Sequence, residues 1–149
     1  MNNIQYVPAS VCDVKKIHSL ECECFPSPWS EKSILDLINS ENGICIAAKC
    51  GDTLVGYAGM YICADEGMIT NIAVFTEFRG HKVGTGLVQA LINEGSKLGL
   101  SKLCLEVRQS NLSAITLYEK CNFCKVGTRR GYYSSPKEDA LLYDFVIKS

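Results

Sequence analysis

Apolar residues recur along this chain at two spacings, and the changes from one to the other mark its elements. Between Val11 and Cys24 they fall three and four apart (Val11, Val14, Ile17, His18, then Leu20 to Cys24), which is the spacing of one helix face. Ser10 can cap that helix, with Asp13 as a capping-box acid, and a short strand over 4–7, stopped by Pro8, precedes it. Pro26 and Pro28 end the helix. Ser30 opens a second one, amphipathic through Ile34, Leu35, Leu37 and Ile38 and ending near Asn42-Gly43. Three strand-length runs follow, over 44–50, 53–63 and 68–74. The turns between them, Gly51-Asp52 and Asp65-Glu66-Gly67, are short enough to predict an antiparallel meander. Helical spacing returns in Leu87, Ala90, Leu91 and Leu98, so a helix is expected over 84–98, ended by Gly99. A buried strand over 103–107 and a helix over 112–121, capped by Asn111, come next. Two last strands are expected over 123–128 and 140–147, joined by a loop containing Tyr, Ser and Pro.

The order is β-α-α-β-β-β-α-β-α-β-β. The helix over 84–98 is then a crossover, which makes strands 68–74 and 103–107 parallel neighbours. The sequence has no internal repeat, low-complexity tract or linker. Its 149 residues predict a single domain, 1–149, of the α/β (α+β) class.

Composition narrows the classes. Apolar residues make up 47% of the chain and charged residues 21%, values of a globular protein in water. A net charge of −1 supplies no field toward nucleic acid or acidic lipid. Arg129-Arg130 with Tyr132-Tyr133 is the one basic-aromatic cluster. No apolar run approaches the roughly 18 residues of a membrane span. Residues 1–10 carry neither a basic cluster nor an apolar run, so no secretory signal and a cytoplasmic location are expected. The nine cysteines are odd in number and sit mostly in apolar runs such as Ile44-Cys45-Ile46, where a free thiol acts as a small hydrophobe. Cys121-x-x-Cys124 lacks a second such pair. The two histidines, His18 and His81, are not spaced to complete a zinc set, so no metal is expected. His18 reads as a partly buried core residue.

Chemistry concentrates in two stretches. Asn71 to Leu87 runs strand, glycine-containing turn (Arg79 to Gly84), helix. A turn feeding a helix start points several backbone N–H groups and the positive dipole end at one spot, which suits phosphate; the other reading is a plain connector. Downstream, Glu106 alternates with Leu105 and Val107 and so faces away from them. A carboxylate at a buried strand end must be paired or solvated, so Glu106 reads either as a functional group or as half of a salt bridge with an arginine. Tyr118, on the following helix, reads either as a core tyrosine or as a partner of Glu106 across one cleft.

With these residues in view, a resemblance can be stated. Arg79-x-x-x-x-Gly84 after Asn71-Ile72-Ala73-Val74 resembles the acetyl-CoA loop of the GNAT acetyltransferase superfamily. The ordered blocks Leu105 to Asn111, Ala114-Ile115, Leu117-Tyr118-Glu119, Phe123, Arg129 to Tyr133 and Glu138-Asp139-Ala140, with Pro28-Trp29-Ser30 upstream, are similar to the RimI-type ribosomal-protein alanine N-acetyltransferases. The resemblance runs from about Pro28 to Ala140. It implies a GNAT fold, a mixed sheet of about seven strands flanked by about four helices, with acetyl-CoA as co-substrate. It also implies that Ile72, Ala73 and Val74 bond the pantetheine arm and that Arg79, Gly80, His81, Lys82, Val83, Gly84 and Thr85 form the pyrophosphate loop. Asn111 would contact the cofactor near its reactive end, Glu106 would be general base and Tyr118 general acid. Tyr132, Tyr133 and the loop from Ser134 to Asp139 are candidates to hold the acceptor, an alanine N-terminus of a small-subunit ribosomal protein.

Two positions depart from the pattern. Lys82 stands where the family loop has its first Gly; it is strained if that position has positive φ and unstrained if it is α-like. Asn122 replaces the Gly that commonly follows the tyrosine helix, and Asn tolerates a left-handed cap. Competing readings are a GNAT enzyme for lysine side chains or small amines, and a non-catalytic acyl-CoA-binding module. The module needs neither Glu106 nor Tyr118. The pattern leaves the oligomeric state open.

Overall fold

The computed structural model describes residues 3–147. One seven-stranded sheet runs through it, built from β1 (Gln5–Pro8), β2 (Gly43–Cys50), β3 (Thr53–Cys63), β4 (Glu66–Val74), β5 (Lys102–Arg108), β6 (Cys124–Ser134) and β7 (Lys137–Val146). Its spatial order is β1-β2-β3-β4-β5-β7-β6. Four α-helices flank it: α1 (Val14–Cys24), α2 (Glu31–Asn39), α3 (Val83–Lys97) and α4 (Leu112–Lys120). Single 3-10 turns at Val11–Asp13 and Thr76–Phe78 add to these. The meander β2-β3-β4 is antiparallel, and β4 and β5 are parallel across the α3 crossover, as the connection lengths require.

β2 and β3 read as near-continuous apolar runs because both of their faces are covered. Ile46, Ala48, Val55, Ala58 and Met60 pack with Val83, Leu87, Val88 and Leu91 of α3 and with Tyr118 of α4. Their neighbours Cys45, Ala47, Leu54 and Tyr57 face the other way, against Val14, Ile17 and Leu20 of α1 and Ile34 and Leu37 of α2. The second core takes in no residue of β5, β6 or β7, so α1 and α2 cover only half of their face. The loop between α1 and α2 therefore ends above the middle of the sheet.

Caps follow their local chemistry. The Ser30 side chain accepts from Ser33 N–H at 3.1 Å, and Asn111 Oδ1 from Ala114 N–H at 3.2 Å. Ser10 N–H donates to Asp13 at 2.9 Å.

One expectation is corrected. The expected loop over 129–139 is strand: β6 continues to Ser134 and β7 begins at Lys137. β6 is the outermost strand and almost all of it is exposed, so it carries no alternation. Gly131, at φ +60°, lies within a register shift between Arg129 and Tyr133. A bulge thus stands where the sequence reads as a break.

Candidate active site

The site begins as a fault in the sheet. β4 and β5 are paired only at Glu66↔Lys102, Gly67↔Leu103 and Met68↔Cys104. Past that point β4 carries a bulge: Ile69 to Ile72 spans the two steps that β3 makes from Met60 to Ala58. A bulge bends its strand and increases its twist. The two strands separate, and the edges facing each other lose their backbone partners. Residues from both sides of the gap line two cavities, and Phe25, Ile72, Asn111, Ala114 and Tyr118 border both.

The larger cavity, about 600 Å³, lies between the free edge of β4 and the start of α3. Ile72, Ala73, Val74, Arg79, Gly80, Lys82, Val83, Gly84, Thr85 and Asn111 all line it. His81 is exposed and does not. No side chain caps α3. The first backbone bond of the helix is Gly86 N–H to Lys82 O at 3.1 Å, which leaves the N–H groups of Val83, Gly84 and Thr85 without intrahelical acceptors. Gly80 has φ +85°, with nothing within 4 Å of where its Cβ would stand. Lys82 is left-handed at φ 63°, ψ 22°, the strained alternative of the two. Arg79 bends back over the cavity wall. Its Nε donates to Val74 O at 3.1 Å and its Nη2 to Cys24 Sγ at 3.2 Å. Burial pushes the Cys24 thiol up, although Arg79 pulls it down, so it stays protonated.

The smaller cavity, about 240 Å³, opens on the α1–α2 side. Glu106, Tyr118, Asn111 and Tyr133 line it, so the topology brings the two candidate chemical groups to one space. Glu106 faces away from Leu105 and Val107, as alternation predicts, and Arg129 Nε lies 2.7 Å from its Oε2. The salt bridge and the cavity are both present. That oxygen is buried and accepts no aligned hydrogen bond. Thr70 Oγ1 is also buried without a hydrogen bond, and unlike Glu106 Oε2 it has no charge beside it. Both residues line the smaller cavity. Orphaned buried groups are costly and concentrate where a ligand completes them.

Tyr118 is 6% exposed and packs on Phe123, with ring centroids 5.7 Å apart. Burial first, then Tyr133 and Cys121, pushes its phenol well above the usual value, so it holds its proton at neutral pH. Tyr133 stacks under the Arg108 guanidinium at 4.2 Å. Arg108 also donates to Pro136 O at 2.9 Å and Glu138 Oε1 at 3.1 Å, tying the β6–β7 hairpin to the end of β5. Tyr132 lies outside both cavities, edge-on to Tyr133.

Sequence reasoning did not assign site roles to Phe25, Pro26, Ser27, Trp29, Thr70 and Asn71, which also line the smaller cavity. Pro26 marked only a helix break, and Trp29 only a block of the family resemblance. Their proximity to Glu106 is a long-range contact that no local pattern carries. All nine cysteines are free, and no group of three or more metal-ligating side chains occurs among the described residues. No described helix is long and apolar enough to cross a membrane.

Comparison with known proteins bears on the family and the fold. The family model described as "Acetyltransferase (GNAT) family" matches residues 14–123. The [ribosomal protein bS18]-alanine N-acetyltransferase of Salmonella typhimurium is 33% identical over 144 residues, 95% of each chain. The crystal structure of the ribosomal-protein-S18-alanine N-acetyltransferase from Escherichia coli superposes with a TM-score of 0.90 at 29% identity, covering 99% of this chain and 96% of that one. Arabidopsis thaliana NAA60, solved in complex with acetyl-CoA, shares the fold at a TM-score of 0.89 and 18% identity, over 99% of this chain and 100% of its own. A split β4–β5 pair, an uncapped helix start beside it and a match over most of the length lead to one assignment: the chain belongs to the acetyltransferase (GNAT) family.

Proposed function

We propose that this protein is an acetyl-CoA-dependent N-terminal acetyltransferase whose acceptor is the N-terminal alanine of ribosomal protein bS18. The observation that carries the chemistry is one cavity lined by Glu106, Tyr118 and Thr70, whose Oγ1 is buried without a partner. The identity of 33% over 95% of the Salmonella relative supports the choice of acceptor.

The residues present fit the co-substrate. The uncapped N–H groups of Val83, Gly84 and Thr85, with the open side of Gly80, would hold its pyrophosphate. The unpaired edge of β4 at Ile72, Ala73 and Val74 would take its arm as an added strand, once Arg79 has left Val74 O for the phosphates. Lys82 would add a charge beside the loop, and Asn111, on both cavities, would sit at the junction. Bound there, acetyl-CoA supplies an activated thioester.

Glu106 would take a proton from the acceptor ammonium, directly or through water. An α-ammonium titrates at about 7.7–8.0, within reach of a carboxylate at neutral pH, whereas lysine at about 10.4 asks more of it. Tyr118, kept protonated by burial, would donate to the departing thiolate. Tyr133 and the Phe25–Trp29 loop would border the acceptor peptide. An enzyme with that acceptor would work in the cytoplasm, where ribosomes assemble.

Glu106→Gln should lower turnover on an alanine-starting bS18 peptide by roughly 10²–10⁴ with acetyl-CoA affinity kept. A fully active variant removes Glu106 as base. Tyr118→Phe, read in the same assay, tests the acid. Mass spectrometry of the bS18 N-terminus with and without the enzyme tests the acceptor; an unchanged pattern, with faster transfer to lysine peptides or small amines, transfers the assignment to those.

A further inference from the structure

Glu21, on α1, has no exposure, and no cation lies within ion-pair distance among the described residues. A carboxylate buried without a counter-cation is a costly way to fill a core position. Three donors offset the cost. Trp29 N–H donates to Oε1 at 2.8 Å, Asn71 Nδ2 to Oε2 at 2.7 Å, and the Tyr57 hydroxyl also to Oε2. His18, one turn earlier on α1, bonds Trp29 O through Nδ1 at 2.8 Å. Both backbone polar groups of Trp29 are therefore held by one helix.

Two of these donors belong to residues that line the smaller cavity. Trp29 lies at the end of the loop between α1 and α2, and Asn71 lies in the β4 bulge. The Glu21 bond also decides how the Asn71 amide faces. Its nitrogen turns to the carboxylate, leaving Oδ1 as the end available to the cavity.

We propose that Glu21 is a positioning residue for acceptor recognition: it clamps the Trp29 loop to the β4 bulge and turns Asn71 Oδ1 toward the acceptor, where it accepts an N–H of the incoming amine. This rests on the acceptor reading above. No proton or group is transferred through Glu21 itself.

Trp29 is the only tryptophan in the chain, so its emission and its quenching by acrylamide report the loop without any substrate. Glu21→Gln puts an amide donor against Trp29 N–H or Asn71 Nδ2 and leaves one of them unaccepted. The KM for an alanine-starting peptide should rise roughly tenfold or more. The KM for acetyl-CoA should stay within about twofold, and Trp29 should become more quenchable. Asn71→Ala should reproduce the peptide effect without the full change at Trp29. Tyr57→Phe, which keeps both clamping bonds, should leave the peptide KM near wild type. Wild-type quenching and peptide KM in Glu21→Gln overturn the clamp, as does an equal rise in both KM values. If Glu21→Gln does not fold, an unchanged peptide KM in Asn71→Ala overturns the amine contact. A wild-type enzyme that transfers nothing to the peptide defeats the acceptor reading instead, while unchanged Trp29 quenching in Glu21→Gln still defeats the clamp.

Discussion

Lys82 shows how much a single residue can conceal from its sequence. It is left-handed in the loop that opens α3, with its side chain beside a cavity of about 600 Å³. A left-handed non-glycine residue costs about 1–2 kcal/mol, and glycine gives back part of that in chain entropy. Lys82→Gly should therefore stabilise the protein by about 0.5–1 kcal/mol, read as a rise of a few degrees in thermal melting. The same variant loses a charge at the loop, so acetyl-CoA affinity should not rise with stability. Glu106 and Tyr118 were legible as candidates because each interrupts or completes an apolar pattern. Glu21 was not. It sits inside the run Leu20 to Cys24, and its partners lie 8, 36 and 50 residues away.

Among the elements, α4 shows a local signal that survives folding. Asn122 has φ 71°, Phe123 N–H donates to Tyr118 O at 3.0 Å and Asn122 N–H to Glu119 O at 3.0 Å. These bonds close the helix as a Schellman cap. Asn122→Ala should destabilise by about 1 kcal/mol in urea unfolding, whereas Asn122→Gly should be neutral or better. The cap matters to the site because Phe123 packs directly on Tyr118. Strands with two buried neighbours, β2 to β5, were readable to within about two residues by periodicity and turn chemistry. The β6–β7 hairpin was not, because an exposed edge strand needs no alternation. Its form depends instead on Arg108, Glu138 and the carbonyls of its own turn.

For the molecule as a whole, the ion pair between Asp13 and Lys49 joins the start of α1 to β2, with Nζ and Oδ1 3.0 Å apart. Burial pushes the Asp13 carboxyl up, but the Ser10 N–H and Lys49 outweigh it and hold the group below its usual range. A carboxyl depressed on folding stabilises the protein above its unfolded pKa of about 3.9, and that contribution is lost as pH falls through the folded value. Asp13→Asn should lower the urea midpoint at pH 7 and lower it much less at pH 3. Equal losses at both pH values would show that packing, not charge, accounts for the effect.

The sequence by itself determined the order of elements, the antiparallel meander, the parallel crossover and the family, because each of these rests on patterns of a few neighbouring residues. It also named the loop and two of the groups that line the cleft. Only the tertiary structure decided that β4 and β5 part after Met68↔Cys104, that Arg129 covers Glu106, and that Trp29 and Asn71 share one buried carboxylate. The physical reason is common to all three. A bulge, an ion pair across strands and a buried acceptor each depend on contacts between segments remote in the chain, and a period of 2 or 3.6 residues carries no information about them.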